Sequence, residues 1–355
     1  MAAAAMSLVL LPAFFIFDGP YLLRQGWAML KLRRGMTDIG VLLGQEDLDP
    51  KTGQFFYLLE EIRDFAGSEL GLEDTKNYRS YISTDRTYLV DVVSAVREDS
   101  LQRYERWYPI VGPVFYRGYF NRMDAEKFAA RLQRKGFDVY LRKVGAYSSL
   151  GLLTDPVYSY MQSYNEARLV EMIIHEMVHA TIWLPGYNQF NEEIATFIGQ
   201  EAAKEFLWNK YGEDSALLVS MRKLRQDSAT FNRFIREVWE ELSENYAATP
   251  DRSDRLRLKK EILSRSKENF LRDYDLMFLT SAYSSMAEEE WNHAFLDLFI
   301  QYGADLAPYS RIHETLGGGD IRKTARILIG LKDIKSDPRV ALDALVRKTG
   351  TDSGG

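Results

Sequence analysis

The chain has 355 residues, 46% of them hydrophobic and 27% charged, enough to build one large core or two domains. A net charge of −6 provides no global basic field and argues against non-specific binding to nucleic acid. Cysteine is absent, which excludes disulfides, thiolate metal sites, iron–sulfur clusters and a cysteine nucleophile; histidine occurs only four times.

In chain order, residues 2–17 (AAAAMSLVLLPAFFIF) form an apolar run broken only by Ser7 and Pro12. As a helix this run rises about 24 Å, less than a hydrocarbon core of roughly 30 Å. It therefore matches the apolar centre of an export signal or anchor rather than a complete span, and residues 1–19 read as such a segment. It predicts a membrane-associated protein on the exported, periplasmic face. Arg24, Lys31, Arg33 and Arg34 follow at once and oppose that direction under the positive-inside tendency. No later stretch is long and apolar enough to span a bilayer.

Residues 20–35 and 54–71 have the periodicity of amphipathic helices, the second stopping at Gly71. Segments 87–96 (TYLVDVVSAV) and 114–120 (VFYRGYF) are rich in β-branched and aromatic residues and predict strands. A helix over 123–135 and a strand over 137–144 (FDVYLRKV) follow. From 154 to 348 the periodicity is helical almost throughout. The charged stretch 250–270 mixes both signs and predicts a solvated helix face. The fold class is α+β: N-terminal helices and a mixed β-sheet over 20–153, then a predominantly helical region over 154–348 and a disordered tail at 349–355.

The helical window 165–183 (NEARLVEMIIHEMVHATIW) contains His175-Glu176-Met177-Val178-His179. Ser163 and Glu166 form a capping box at its start, and Val170, Ile173, Ile174, Met177 and Ile182 supply an apolar stripe. Positions four apart share a helix face, so both imidazoles can bind one ion while Glu176 holds and deprotonates a water. This is the H-E-x-x-H arrangement of zinc hydrolases. Two imidazoles still need a third protein ligand, with the fourth position left to water. A second helix opens soon afterwards at Phe190-Asn191-Glu192-Glu193. On it Glu192 shares a face with Ala195, Thr196, Gly199 and Ala203, small residues that permit close approach of another helix. Glu193 lies nearer Phe190, Ile194 and Phe197. The competing reading of Glu192 is a favourable charge at the positive end of a helix.

The segment Asn191-Glu192-Glu193-Ile194-Ala195 resembles the N-E-x-x-A/S element of the gluzincins, the thermolysin-like and aminopeptidase N-like metallopeptidases. The resemblance implies a gluzincin-like zincin domain, with Glu192 as third ligand of a Zn2+ ion beside His175 and His179. Blocks 62–81, 108–151 and 291–302 resemble a bacterial family of zinc aminopeptidases in which H-E-x-x-H is followed by F-N-E; the likeness spans residues 20–315. Members are often lipoproteins, but this chain lacks the cysteine that would carry the lipid. Gly145, Ala146, Tyr147 and Ser148 occupy the place of the G-A-M-E-N strand of aminopeptidase N-like enzymes, which implies an edge strand pairing with an extended peptide. Where those enzymes grip the substrate α-amine with a glutamate, Ser148 supplies no charge.

The chemistry expected is peptide hydrolysis. Zinc would lower the pKa of its water towards ~7, and Glu176 would take the proton and return it to the leaving amine. Donors to the developing oxyanion would come from Tyr302 and His293, with Tyr147 as a third candidate. His293 beside Asn292 also fits a satisfied structural histidine. His313 reads as incidental, and Gly317-Gly318-Gly319 as a loop rather than a phosphate cradle. Two alternatives use the same residues. One is a catalytically silent gluzincin-fold scaffold subunit of a membrane-associated protein complex. The other is a zinc hydrolase of a non-peptide amide or ester.

Overall fold

The structure, a computed structural model, describes residues 18–108, 112–145, 154–303, 306–334 and 337–351. The apolar run at 2–17, the segment Ala146-Tyr147-Ser148 and the last residues, 352–355, lie outside the described residues. Along the chain come α1 (Gly19–Arg33), β1 (Met36–Asp38), α2 (Ile39–Leu43), α3 (Pro50–Ser68) and β2 (Ser80–Ile82). They are followed by β3 (Val90–Arg97), β4 (Arg106–Tyr108), β5 (Gly112–Val114), β6 (Tyr116–Tyr119), α4 (Arg122–Gln133) and β7 (Phe137–Val144). After β8 (Val157–Tyr158) come α5 (Glu166–Thr181), α6 (Asn188–Tyr211), α7 (Ala216–Ala248), α8 (Arg252–Met277), α9 (His293–Tyr302), α10 (Ala307–Thr315), α11 (Ile321–Ile329) and α12 (Pro338–Thr351). The architecture is α+β with small sheets. Among the described residues, no helix is long and apolar enough to cross a membrane.

The chain forms two compact units, each gathered from three stretches. One comprises Met1–Gly35, Arg86–Ala146 and Asp227–Ile300; the other comprises Met36–Asp85, Tyr147–Gln226 and Gln301–Gly355. Periodicity marks where elements lie, but it does not say which distant elements share a core.

In the first unit, β6, β3 and β7 form an antiparallel sheet in that order. β3 is buried from Val90 to Val96, so its sequence shows no polar alternation. Asp91 is tolerated inside it because Arg122 donates to its carboxylate at 2.8 Å. Ala125, Phe128 and Leu132 of α4 pack with Val93 and Ala95. A second cluster unites Phe231, Leu242, Ile262, Phe270 and Phe295 of α7, α8 and α9 with Trp291, two residues before α9. The strand expected over 114–120 is in fact two, broken at Phe115, because β5 pairs with β4 while β6 pairs with β3.

In the second unit, β1, β2 and β8 form a mixed sheet, antiparallel then parallel. α3 starts four residues before the expected boundary, because Asp49 caps it by accepting from the Thr52 amide at 2.9 Å. Gly71, with φ of 71°, lies three residues past its last helical residue, in the left-handed region that glycine allows. α5 is capped by Asn165, which accepts from the Arg168 amide at 2.8 Å. Ser163 does not serve; it closes the preceding 3-10 turn, and its hydroxyl donates to the Tyr160 carbonyl. α5 and α6 form the heart of this unit, burying Val170, Ile173, Ile174 and Val178 on one and Ile194, Ala195, Ile198 and Ala202 on the other. Each large apolar side chain so buried contributes about 1.5–3 kcal/mol of hydrophobic stabilisation.

Candidate metal centre

The two helices meet closely at one point. A Cβ added at Gly199 would come within 3.1 Å of the Glu171 carbonyl oxygen and 3.3 Å of the His175 Cβ. The absence of a side chain there lets α6 approach the turn of α5 that carries His175. The chain between them is short, and Asn191 organises it. Its carboxamide accepts from the Leu184 amide at 3.0 Å and donates to the Leu184 carbonyl at 2.9 Å. Gly186, with φ of 87°, makes the turn between.

That hairpin brings Glu192 to the histidines. His175 Nε2 and His179 Nε2 stand 3.1 Å apart. Glu192 Oε2 lies 3.5 Å from the first, and Glu192 Oε1 lies 3.4 Å from the second. Zinc bonds of about 2.0–2.1 Å at tetrahedral angles would separate ligand atoms by about 3.4 Å. Two imidazoles and one carboxylate thus converge closely enough to share one ion, each imidazole meeting its own Glu192 oxygen at about that spacing. The His179 side chain is 4% exposed, whereas that of Glu192 is 42% exposed, so the cluster is walled on one side and open on the other. An open side suits a fourth ligand position.

The electrostatics fit a cation as well. Burial works against the charged form of Glu192, but hydrogen bonding to both imidazoles holds its carboxyl far below the usual range. Burial pulls the His175 imidazole down, yet Glu192, Glu176 and Glu171 together outweigh it and hold the ring above the ordinary histidine value. Glu193, the neighbouring carboxylate, faces away. It receives two hydrogen bonds from Arg339, at 2.5 and 2.8 Å, and one from Tyr309 at 3.0 Å. This pairing ties α6 to α10 and α12 and leaves Glu192 for the histidines.

Glu176 sits one residue after His175 on α5. Its Oε2 is buried and has no hydrogen-bond partner among the described residues. A buried carboxylate oxygen left unpaired is costly and calls for a role or a missing partner. Burial raises the Glu176 carboxyl pKa, with Glu192 and Asp155 adding to the rise while His175 and His179 oppose it. A buried carboxyl with a raised pKa beside the two histidines is an acid–base candidate.

Tyr78 and Asp155 belong to the same neighbourhood and were not singled out from the sequence. Tyr78 is buried with φ of 59°, a left-handed backbone that aromatic residues rarely adopt. Its amide donates to the Asp155 carbonyl at 2.7 Å, and the Asp155 amide donates to Asn77 Oδ1 at 2.9 Å. Burial first, then the Glu176 and Asp155 carboxylates and Tyr158, push the Tyr78 phenol well above its ordinary pKa, so it stays a proton donor. Nothing in the sequence marks Tyr78 among 21 tyrosines.

Of the other residues named from the sequence, His293 lies in the first unit, fully buried, with Nδ1 against the Arg97 carbonyl at 2.8 Å and Nε2 against the Tyr246 hydroxyl at 2.9 Å. Both ring nitrogens are engaged, as in a structural histidine. Burial and then Lys259 depress it to about 4, against the Arg97 carbonyl and Asp138. Tyr302 ends α9, and its side chain lies outside the described residues, as do Ala146, Tyr147 and Ser148. Gly145 directly follows β7, an edge strand of the described sheet. His313 is held by Thr324 Oγ1 at 2.8 Å, and the glycines at 317–319 close α10, with Gly317 and Gly319 donating to the Ile312 and His313 carbonyls.

No curated protein and no solved structure matches the chain. A family model described as Putative aminopeptidase matches residues 20–342, a span that includes the whole cluster. The chain therefore belongs to the Putative aminopeptidase family, a membership that suggests peptidase activity and implies a peptide substrate.

Proposed function

We propose that this protein is a zinc-dependent peptidase of gluzincin type, with aminopeptidase action the form its family suggests. The observation that carries this reading is the convergence of His175, His179 and Glu192: the two Nε2 atoms stand 3.1 Å apart, with one Glu192 oxygen 3.5 Å from His175 and the other 3.4 Å from His179, beside a buried Glu176 Oε2 that has no hydrogen-bond partner among the described residues. In this reading His175, His179 and Glu192 hold the ion. When bound, Zn2+ would polarise the scissile carbonyl and acidify water at the site.

The chain's own residues do the rest. Glu176 takes a proton from the attacking water as the new C–O bond forms. It then passes that proton to the departing nitrogen as the C–N bond breaks. Burial raises the Glu176 carboxyl above its ordinary pKa, the direction that suits a group which must both take and return a proton. Tyr78 keeps its proton and is a candidate donor, its phenol electrostatically coupled to the Glu176 carboxylate. Glu171 stands one turn before His175 and is paired with Arg225 at 3.7 Å, which backs the ligand helix.

The test is removal and return of the metal. Chelation should abolish hydrolysis of a peptide library, and equimolar zinc should restore it to the wild-type chain but not to His175→Ala. Full activity after exhaustive chelation would refute zinc dependence.

A further inference from the structure

We propose that α1 is an interfacial helix that lays its outer face on an anionic lipid bilayer. Among the described residues, the helix is pinned to its own unit through Tyr21, Arg24 and Gln25. The Tyr21 hydroxyl donates to the Gly118 carbonyl at 2.8 Å, and its ring packs edge-on against Tyr119 at 5.3 Å. Gln25 accepts from the Phe120 amide at 3.0 Å, and Arg24 pairs with Asp124 at 3.4 Å. These contacts fix which way the rest of the helix faces.

The opposite face is apolar and exposed. Leu23 is 65% exposed, Trp27 62% and Leu30 57%, at positions i, i+4 and i+7 of one stripe, with Leu22 beside them at 48%. A soluble surface helix normally turns such a stripe inward. Basic residues rim it: Arg24, Lys31, Arg33 and Arg34, with the Arg34 guanidinium 5.4 Å from the Trp27 ring centre. No acidic residue occurs between positions 19 and 37, in a chain whose net charge is −6.

Leucine and tryptophan on one face with lysine and arginine at its edges is the pattern that binds in the plane of a membrane surface. The charge selects the occupant. A second copy docking through the same face would bring the two basic rims together, whereas anionic headgroups neutralise them. At 15 residues, α1 lies along such a surface rather than crossing it. This anchoring differs from insertion of the apolar run at 2–17, and it is independent of the zinc reading.

The test is co-sedimentation of the 355-residue chain with phosphatidylcholine vesicles, with and without phosphatidylglycerol. Wild type should sediment with the mixed vesicles and only weakly with phosphatidylcholine alone. L23E/W27E/L30E should lose binding at least tenfold, and K31Q/R33Q/R34Q should weaken it on the order of a hundredfold. Because the chain lacks cysteine, L30C can carry a single environment-sensitive dye, whose emission should shift to the blue only when mixed vesicles are added. Retained binding by L23E/W27E/L30E would assign the membrane contact to residues 2–17 and overturn the proposal. An L30C probe already blue-shifted without vesicles would mean that another part of the chain covers the face. Self-association abolished by the same substitutions, without vesicle binding, would replace the bilayer with a second copy.

Discussion

Asn191 holds Leu184 at both of its backbone groups, and this single clamp sets the turn that returns Glu192 to the two histidines. The asparagine is buried, and its loss leaves the partly buried Leu184 amide and carbonyl unpaired. Asn191→Leu should destabilise the fold by about 2–4 kcal/mol and weaken zinc binding roughly tenfold or more. Thermal unfolding without metal and zinc competition against a chelator measure the two effects separately.

The adjacent glutamates should separate cleanly by substitution. Glu192→Gln should lose zinc with little change in metal-free stability, since its present partners are the two ligand imidazoles. Glu193→Gln should retain the ligand set but lose roughly 2–3 kcal/mol, because it strands Arg339 and weakens the Tyr309 bond. The estimate is held below that of a fully buried pair because the Arg339 side chain is 42% exposed. Zinc content and urea midpoints of both variants distinguish the roles.

Gly199 is a packing requirement of the metal turn. In Gly199→Ala the new methyl meets the Glu171 carbonyl and the His175 Cβ, and backbone cannot yield as a flexible side-chain tip does. A cost of about 1–3 kcal/mol is expected, together with weaker zinc retention as α6 moves off α5. Chemical denaturation and metal titration read both.

Tyr78→Phe removes a proton donor without removing the ring. If the phenol serves the reacting carbonyl or Glu176, kcat should fall on the order of tenfold or more while zinc content stays equimolar. Unchanged kcat would leave Tyr78 as packing.

His293 predicts a pH dependence of stability rather than of catalysis. Its folded pKa of about 4 lies below the ordinary value of 6.5, so between those values the unfolded chain binds the proton and the folded chain does not. Its contribution is full above pH 6.5 and falls as pH drops towards 4, by up to about 3 kcal/mol. His293→Gln should flatten that part of the stability–pH curve, which denaturant midpoints across the range will show.

The convergence of His175, His179 and Glu192 was legible in the sequence because its information is local. Helical periodicity puts His175 and His179 on one face, and the same rule separates Glu192 from Glu193 and aligns Glu192 with Gly199. β7 was legible over all eight residues for the same reason. What was hidden depends on long-range placement. His293 could be assigned to chemistry or to structure until Arg97 and Tyr246, nearly two hundred and nearly fifty residues away in sequence, were seen to occupy both of its nitrogens. Tyr78 reaches the neighbourhood of Glu176 through a left-handed backbone, which no propensity foretells for tyrosine. The two units likewise form from interleaved stretches that have no common composition.

The most direct measurement is the peptide-hydrolysis rate of zinc-loaded Glu176→Gln, with metal content determined on the same sample. The account predicts equimolar zinc and a rate lower by a factor on the order of a thousand or more. Undiminished hydrolysis by the zinc-loaded variant would contradict it, because the reaction would then not need Glu176 to carry the proton.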